Sequence, residues 1–233
     1  MSNRRLDVVF VNPDSSAKAY QGLADIYSAK EPPTWALLLA QACRSNGFGV
    51  AIIDCDAERL NLQQAVQRIK DLNPRLVCFA VYGQNPNSGT TSMIGATELA
   101  SALKETFPQY LTCFVGSHTS ALPKDVLAID PVDFVLLNEG VYAIQNLLRT
   151  DLIEDLDKVA GIGYKKGDSG SGRQLILNRP EKVVLLAKSS RCAVAGCLGS
   201  GSNAQRIRLY RGFTRYKYSR QNSMIISNYS AQF

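Results

Sequence analysis

The only histidine of the 233-residue chain, His118, lies in "VGSHTSALP" (Val115–Pro123), where small residues, hydroxyls and one imidazole crowd together. Glycine lets backbone N–H groups come close to a ligand, and Ser, Thr and His side chains hydrogen-bond buried amides or a phosphate. Three other stretches share this chemistry: "NPDSS" from Asn12, "YGQNPNSG" from Tyr82 and "NEG" from Asn138. Other chemistries lack their parts. The histidine has no Gly-x-Ser-x-Gly partner for a nucleophilic triad, and no Walker-type phosphate loop occurs. Asp54 and Asp56 stand where a dinucleotide domain keeps its ribose-binding acid, yet no Gly-x-Gly-x-x-Gly follows the first strand. Glu154, Asp155 and Asp157 read as a charged linker. Cys192 and Cys197 match no common zinc spacing, and Cys43, Cys55, Cys78 and Cys113 sit singly in apolar segments, as small core hydrophobes do.

The four stretches gain meaning from the elements that must hold them. "LDVVFVN" (Leu6–Asn12) is a continuous apolar run, as expected of a strand buried on both faces. Pro32 and Pro33 before "TWALLLAQACRSNG" and Gly47 at its end punctuate a helix. Val50–Cys55 reads as a second strand, and Leu62, Val66, Ile69 and Leu72 fall on one helical face behind an Asn61 N-cap. Arg75–Tyr82 is a third strand, followed by a breaker-rich loop and a helix over about 88–107. "YLTCFVGS" and Asp133–Asn138 complete five strands, with helical pieces at Pro123–Ala128 and Tyr142–Arg149. Strands alternating with helices imply a parallel sheet. The fold class expected is α/β, a flavodoxin-like, doubly wound five-stranded parallel sheet of order 2-1-3-4-5. Residues 161–165 and 174–177 flank a Gly/Ser-rich turn and read as a C-terminal β-hairpin appendage.

In such a sheet, ligands bind beyond the carboxyl ends of the strands. All four stretches fall there. The candidate binding residues are Asn12, Pro13, Tyr82, Gly83, Asn85, Asn87, Gly116, Ser117, His118, Thr119, Leu122, Glu139 and Gly140. Turn chemistry favours the same residue types, so both readings stand. Trp35, one turn inside the first helix, reads as core packing before cofactor plate.

The succession "EPPTWALLLAQACRSNGFGVAIIDCD", "NPRLVCFAVYGQNPNS", "FVGSHTSALPKDVL" and "VDFVLLNEG" resembles the N-terminal cobalamin-binding domain of radical S-adenosylmethionine enzymes. In that family a Pro-Pro opens the first helix, a Gly-Gly-x-His-x-(Ser/Thr)-x-x-Pro segment follows strand four, and a Gly-Glu-Gly-like turn ends strand five. The resemblance runs from about Leu6 to Pro180, with Ser117 replacing the second glycine of the pair and Asn138 the first of the later turn. It implies a corrinoid as the bound partner and cobalamin as the cofactor. The cobalt-ligating Asp-x-His-x-x-Gly motif of cobalamin mutases is absent after strand one, so the resemblance implies base-off binding without histidine ligation.

No Cys-x-x-x-Cys-x-x-Cys occurs, so this chain is expected to hold no iron–sulfur cluster and not to catalyse alone. A separate radical S-adenosylmethionine subunit or domain would then supply the reaction, and the chain reads as truncated or frame-shifted before such a domain. The domains expected are 1–150 for the cofactor, 151–180 for linker and hairpin, and 181–233 for a basic, disordered or non-native tail. Residues 181–233 carry nine Lys and Arg against one acid, a charge of +8, while the chain as a whole carries +6. Arg206, Arg208, Arg211, Arg215, Lys217 and Arg220, interleaved with Tyr210, Phe213, Tyr216 and Tyr218, would suit phosphates and bases. No folded nucleic-acid motif accompanies them, so nucleic acid is the lesser alternative, beside a degenerate interaction module without cofactor. No apolar stretch reaches the roughly 18–20 residues that span a bilayer, and no signal-peptide core is present. The expectation is a cytoplasmic protein without a membrane partner.

Overall fold

Alternation along β1 (Val8–Asn12) divides the molecule into two cores, one on each side of a sheet. Val8 and Phe10 point to one side, Val9 and Val11 to the other, and all four are fully buried. This period of two follows from the pleat. The computed structural model describes residues 5–16, 23, 32–82, 86–167, 173–182, 215–218 and 224–227, with the backbone alone at 86–88, 215–218 and 224–227.

The elements follow in the expected order: α1 (Thr34–Ser45), β2 (Val50–Asp54), α2 (Leu62–Leu72), β3 (Leu76–Val81), α3 (Pro86–Thr106), β4 (Leu111–Gly116). Then come α4 (Ser117–Ala121), α5 (Pro123–Ala128), β5 (Phe134–Leu136) and α6 (Val141–Arg149). Strands β1 to β5 pair in parallel in the order 2-1-3-4-5, the flavodoxin-like arrangement. Helices α1 and α6 cover the face carrying Val8, Phe10, Cys78 and Val115. Helices α2, α3 and α5 cover the face carrying Val9, Val11, Phe79 and Phe114. Asn61 caps α2 as its sequence position suggests: its side chain accepts from Gln64 N–H at 2.9 Å, while Gln64 Oε1 accepts from Asn61 N–H at 3.0 Å.

Three details differ from the sequence expectation. Helix α3 begins at Pro86, inside the segment expected as loop, because proline suits a first helical turn whose N–H groups have no partner. The segment after β4 is a one-turn helix, α4, where a loop was expected. The hairpin of β6 (Ile162–Lys166) and β7 (Gln174–Leu177) also joins the main sheet. Strand β6 runs antiparallel to β5, with Val135 opposite Gly163, and β7 forms the new edge. The segment after β7 returns to the sheet: Gly161 N–H donates to the Arg179 carbonyl at 2.8 Å, and Glu181 is buried.

Strands β8 (Arg215–Tyr218) and β9 (Met224–Ser227) pair antiparallel in a separate sheet. The rest of the basic tail, including Cys192, Cys197, Arg206, Arg208 and Arg211, lies outside the described residues. Among the described residues no helix is long and apolar enough to cross a membrane.

Candidate functional site

The carboxyl ends of β3 and β4 meet at Val81 and Gly116, which are register partners. They meet so closely that glycine is required: a Cβ on Gly116 would stand 2.0 Å from the Val81 carbonyl oxygen and 2.7 Å from its carbon. The chain then turns directly into α4. Ser117 is half-buried, and its hydroxyl faces the first turn of α3, 2.5 Å from where a Cβ on Gly89 would lie. The side chain that departs from the glycine pair of the resembled family thus packs against a neighbouring helix.

The loop after β5 makes the next wall. Asn138 adopts φ +55° and Gly140 φ +69°, left-handed conformations that glycine and asparagine tolerate best. The Asn138 carbonyl accepts from the Tyr82 hydroxyl at 3.1 Å and from Ser120 Oγ at 3.2 Å. One acceptor therefore ties together the segments after β3, β4 and β5. A Cβ on Gly140 would press on Val115 and Leu136 at 3.0 Å each, so this turn too is fitted to the sheet end beneath it.

Tyr82 is the centre of this arrangement. Its ring stacks on Trp35 of α1 with centroids 4.4 Å apart and planes 21° from parallel. Burial raises its phenol pKa, and Cys78, Glu139 and Glu181 raise it further, so the hydroxyl is a neutral donor. Trp35 is half-buried and belongs to the edge of the site as well as to packing. Next to α4, the Thr90 hydroxyl and His118 Nδ1 share a hydrogen bond of 3.0 Å. Thr119 is fully buried, and its Oγ1 has no hydrogen-bond partner among the described residues. An unmet hydroxyl is costly in such a place, and a ligand amide or a water would satisfy it.

The structure assigns the remaining sequence candidates unequally. Asn12 spends its amide on Asp54 Oδ1 at 2.9 Å, an acceptor that also receives Ala57 N–H at 3.1 Å. Its side chain ties β1 to β2. Pro13 is buried at the end of β1, Leu122 is 46% exposed beside α4, and Glu139 is half-buried in the turn before α6. Gly83 and Asn85 lie outside the described residues, and Asn87 is described only by its place in the first turn of α3.

Two contributors escaped the sequence reading. Ser120 was passed over although it sits in the same segment as His118. Glu181 comes from beyond the hairpin: its Oε2 accepts from Ala143 N–H at the start of α6, while Oε1 is buried without a partner among the described residues. Burial raises the Glu181 carboxyl pKa, opposed by the N–H groups of Ala143, Tyr142 and Gly140. A carboxylate at a helix N-terminus is favoured by the dipole. Only the return of the chain after β7 brings it there.

The B12 binding domain family model matches residues 22–148, more than half of the chain. No curated protein matches. Among solved structures, the radical S-adenosylmethionine methyltransferase TsrM from Kitasatospora setae, with cobalamin and a 4Fe–4S cluster bound, is 14% identical with a TM-score of 0.55. The match covers 76% of this chain and 29% of that one. The same enzyme with its tryptophan substrate gives a TM-score of 0.53 at 14% identity, covering 74% and 30%. The cobalamin-dependent radical enzyme OxsB, with aqua-cobalamin bound, gives 0.51 at 18% identity, covering 78% and 23%. These are likenesses of fold, and the chain spans less than a third of each neighbour's length. Parallel strands in 2-1-3-4-5 order, a glycine-pinned carboxyl edge and the family match lead to one assignment: the chain belongs to the B12-binding domain family, and its cofactor is cobalamin.

Proposed function

We propose that this chain holds a corrinoid base-off, without histidine ligation, over the carboxyl edge of β1, β3, β4 and β5. The observation that carries the reading is the knot at the Asn138 carbonyl, where Tyr82 and Ser120 fix three loops beside the buried, unmet hydroxyl of Thr119. Gly116 and the left-handed turn at Asn138–Gly140 keep these loops low, leaving backbone and short polar groups to face a broad, amide-rimmed ligand. Thr119, Ser120, Glu139 and His118 would donate to or accept from its side-chain amides, with Trp35 and Tyr82 as an apolar wall. The loop after β1 offers Pro13, Asp14, Ser15 and Ser16 and no imidazole, which supports binding without a histidine below the metal.

When bound, the corrinoid supplies a cobalt centre able to carry a methyl group between a donor and an acceptor. This chain's own residues bind and orient it. The reactive partner is a radical S-adenosylmethionine domain or subunit, the context in which the structural neighbours carry this fold.

The test is a visible-absorbance titration with hydroxocobalamin, checked by equilibrium dialysis, on the full chain and on a form ending at Lys182. The shorter form keeps Glu181 on α6. Saturable one-to-one binding with a base-off spectrum in both is the expected result. No retention at about 50 μM, a very weak affinity for a cofactor site, would overturn the reading.

A further inference from the structure

Helix α3 carries a glycine in mid-length, Gly95, where its low helix propensity has no local advantage. The reason lies in what it touches. A Cβ there would stand 2.2 Å from the Asp14 carbonyl oxygen, 2.9 Å from its carbon and 2.6 Å from Ser15 Oγ. The closest of these atoms is backbone, which cannot swing aside as a side-chain tip can, so relief requires the loop itself to move.

The notch is also bonded. Gly95 N–H donates to Ser15 Oγ at 3.2 Å, and Ser15 Oγ donates to the Ser92 carbonyl at 3.3 Å. One hydroxyl is thus inserted between a helical donor and a helical acceptor three residues apart. Asp14 stiffens the same turn by accepting Ser16 N–H on Oδ1 at 2.8 Å. The loop leaving β1 is latched onto α3 by shape and by two hydrogen bonds.

We propose that the Gly95 notch, with Ser15 as its bolt, is a positioning device that sets the height of the β1 loop beneath the corrinoid. The inference rests on the cofactor reading given above. Because β1 and β3 are neighbours and α3 leaves from β3, the latch fixes the β1 loop relative to the strand end that carries Tyr82. With no histidine in that loop to reach upward to the metal, the distance between the loop and the lower face depends on where the backbone is held. A loop docked in the notch leaves a set gap. A loop expelled from it rises into the space that the ligand needs.

The experiment compares wild type, Gly95→Ala and Ser15→Ala by hydrogen–deuterium exchange and by hydroxocobalamin titration. Gly95→Ala fills the notch while improving helix propensity, and Ser15→Ala removes both hydrogen bonds while leaving the notch open. The expected result is loss of amide protection at Ser16 and at residue 95 in both, with binding weakened at least tenfold by Gly95→Ala and about threefold by Ser15→Ala, and the melting midpoint lowered by a few degrees. Wild-type protection in a folded Gly95→Ala variant would overturn the latch. Lost protection with wild-type affinity would overturn its positioning role. If Gly95→Ala does not fold, Ser15→Ala decides by the same two readouts. A wild type that binds no hydroxocobalamin sinks the cofactor reading and with it the positioning role, while exchange still judges the latch.

Discussion

Replacing Gly116 by alanine would put a methyl carbon 2.0 Å from the Val81 carbonyl oxygen, with the carbonyl carbon at 2.7 Å and Cα at 3.3 Å. Both residues end central strands, so neither can retreat into solvent. Relief to ordinary contact near 3.4 Å requires the two strand ends to part by roughly 1.4 Å. Overpacking of a well-filled interior costs about 1–3 kcal/mol, and the terminal ladder hydrogen bond contributes about 1 kcal/mol more. A total near 3 kcal/mol corresponds to a fall of about 6–12 °C in melting midpoint for a chain of this size. Circular dichroism during a thermal scan reads this directly. Because Gly116 leads straight into α4, the displaced strand end also moves Ser120 off the Asn138 carbonyl, so hydroxocobalamin affinity falls with it. A midpoint within about 2 °C of wild type would refute the argument, since it would mean that the strand ends have slack not visible in their packing.

Two further substitutions probe the walls of the site. Asn138→Ala places a Cβ-bearing residue without a polar side chain at φ +55°, with an expected cost of about 1 kcal/mol, whereas Asn138→Gly is neutral or stabilising. Paired thermal melts would check the order. Glu181→Gln bears on pH. Because burial raises the carboxyl pKa in the folded state, the unfolded chain loses this proton at lower pH, and wild-type stability declines as pH climbs from the ordinary carboxylate range through the raised value. The glutamine variant lacks that decline. The stability difference should therefore move in favour of Glu181→Gln across this window, as read by urea melts at stepped pH; a pH-independent difference would contradict it.

The fold was readable because its signals are local and repeated. Val8 to Val11 alternate between two cores, Asn61 and Gln64 close a capping box, and proline and glycine bracket α1. The candidate site was readable as a set of loops at one edge of the sheet and less so as contacts. Gly116 was expected to let backbone approach a ligand, and the backbone its missing Cβ admits is that of Val81. Asn12 sits at the right edge, yet its amide has a nearer partner in Asp54 across the β1–β2 pair. Such choices depend on which strand lies alongside, which no local pattern encodes. Glu181 and the Gly95 notch depend on segments brought together from 38 and 80 residues away, and a glycine within a helical pattern is the one trace either leaves.

The hairpin at the end of the sheet has a consequence for how the chain is made. Until β6 and β7 have been synthesised, the three-residue strand β5 offers Phe134, Val135 and Leu136 with one row of backbone groups open, an invitation to pairing between nascent chains. The matched family segment stops at 148, before the hairpin, and starts at 22, after the central strand β1. A fragment cut at those limits would carry a slot through the middle of its sheet and an uncovered rim. Boundaries for expression should instead run from before Val8 through Lys182, so that the last strands to leave the ribosome act as the sheet's own edge guard.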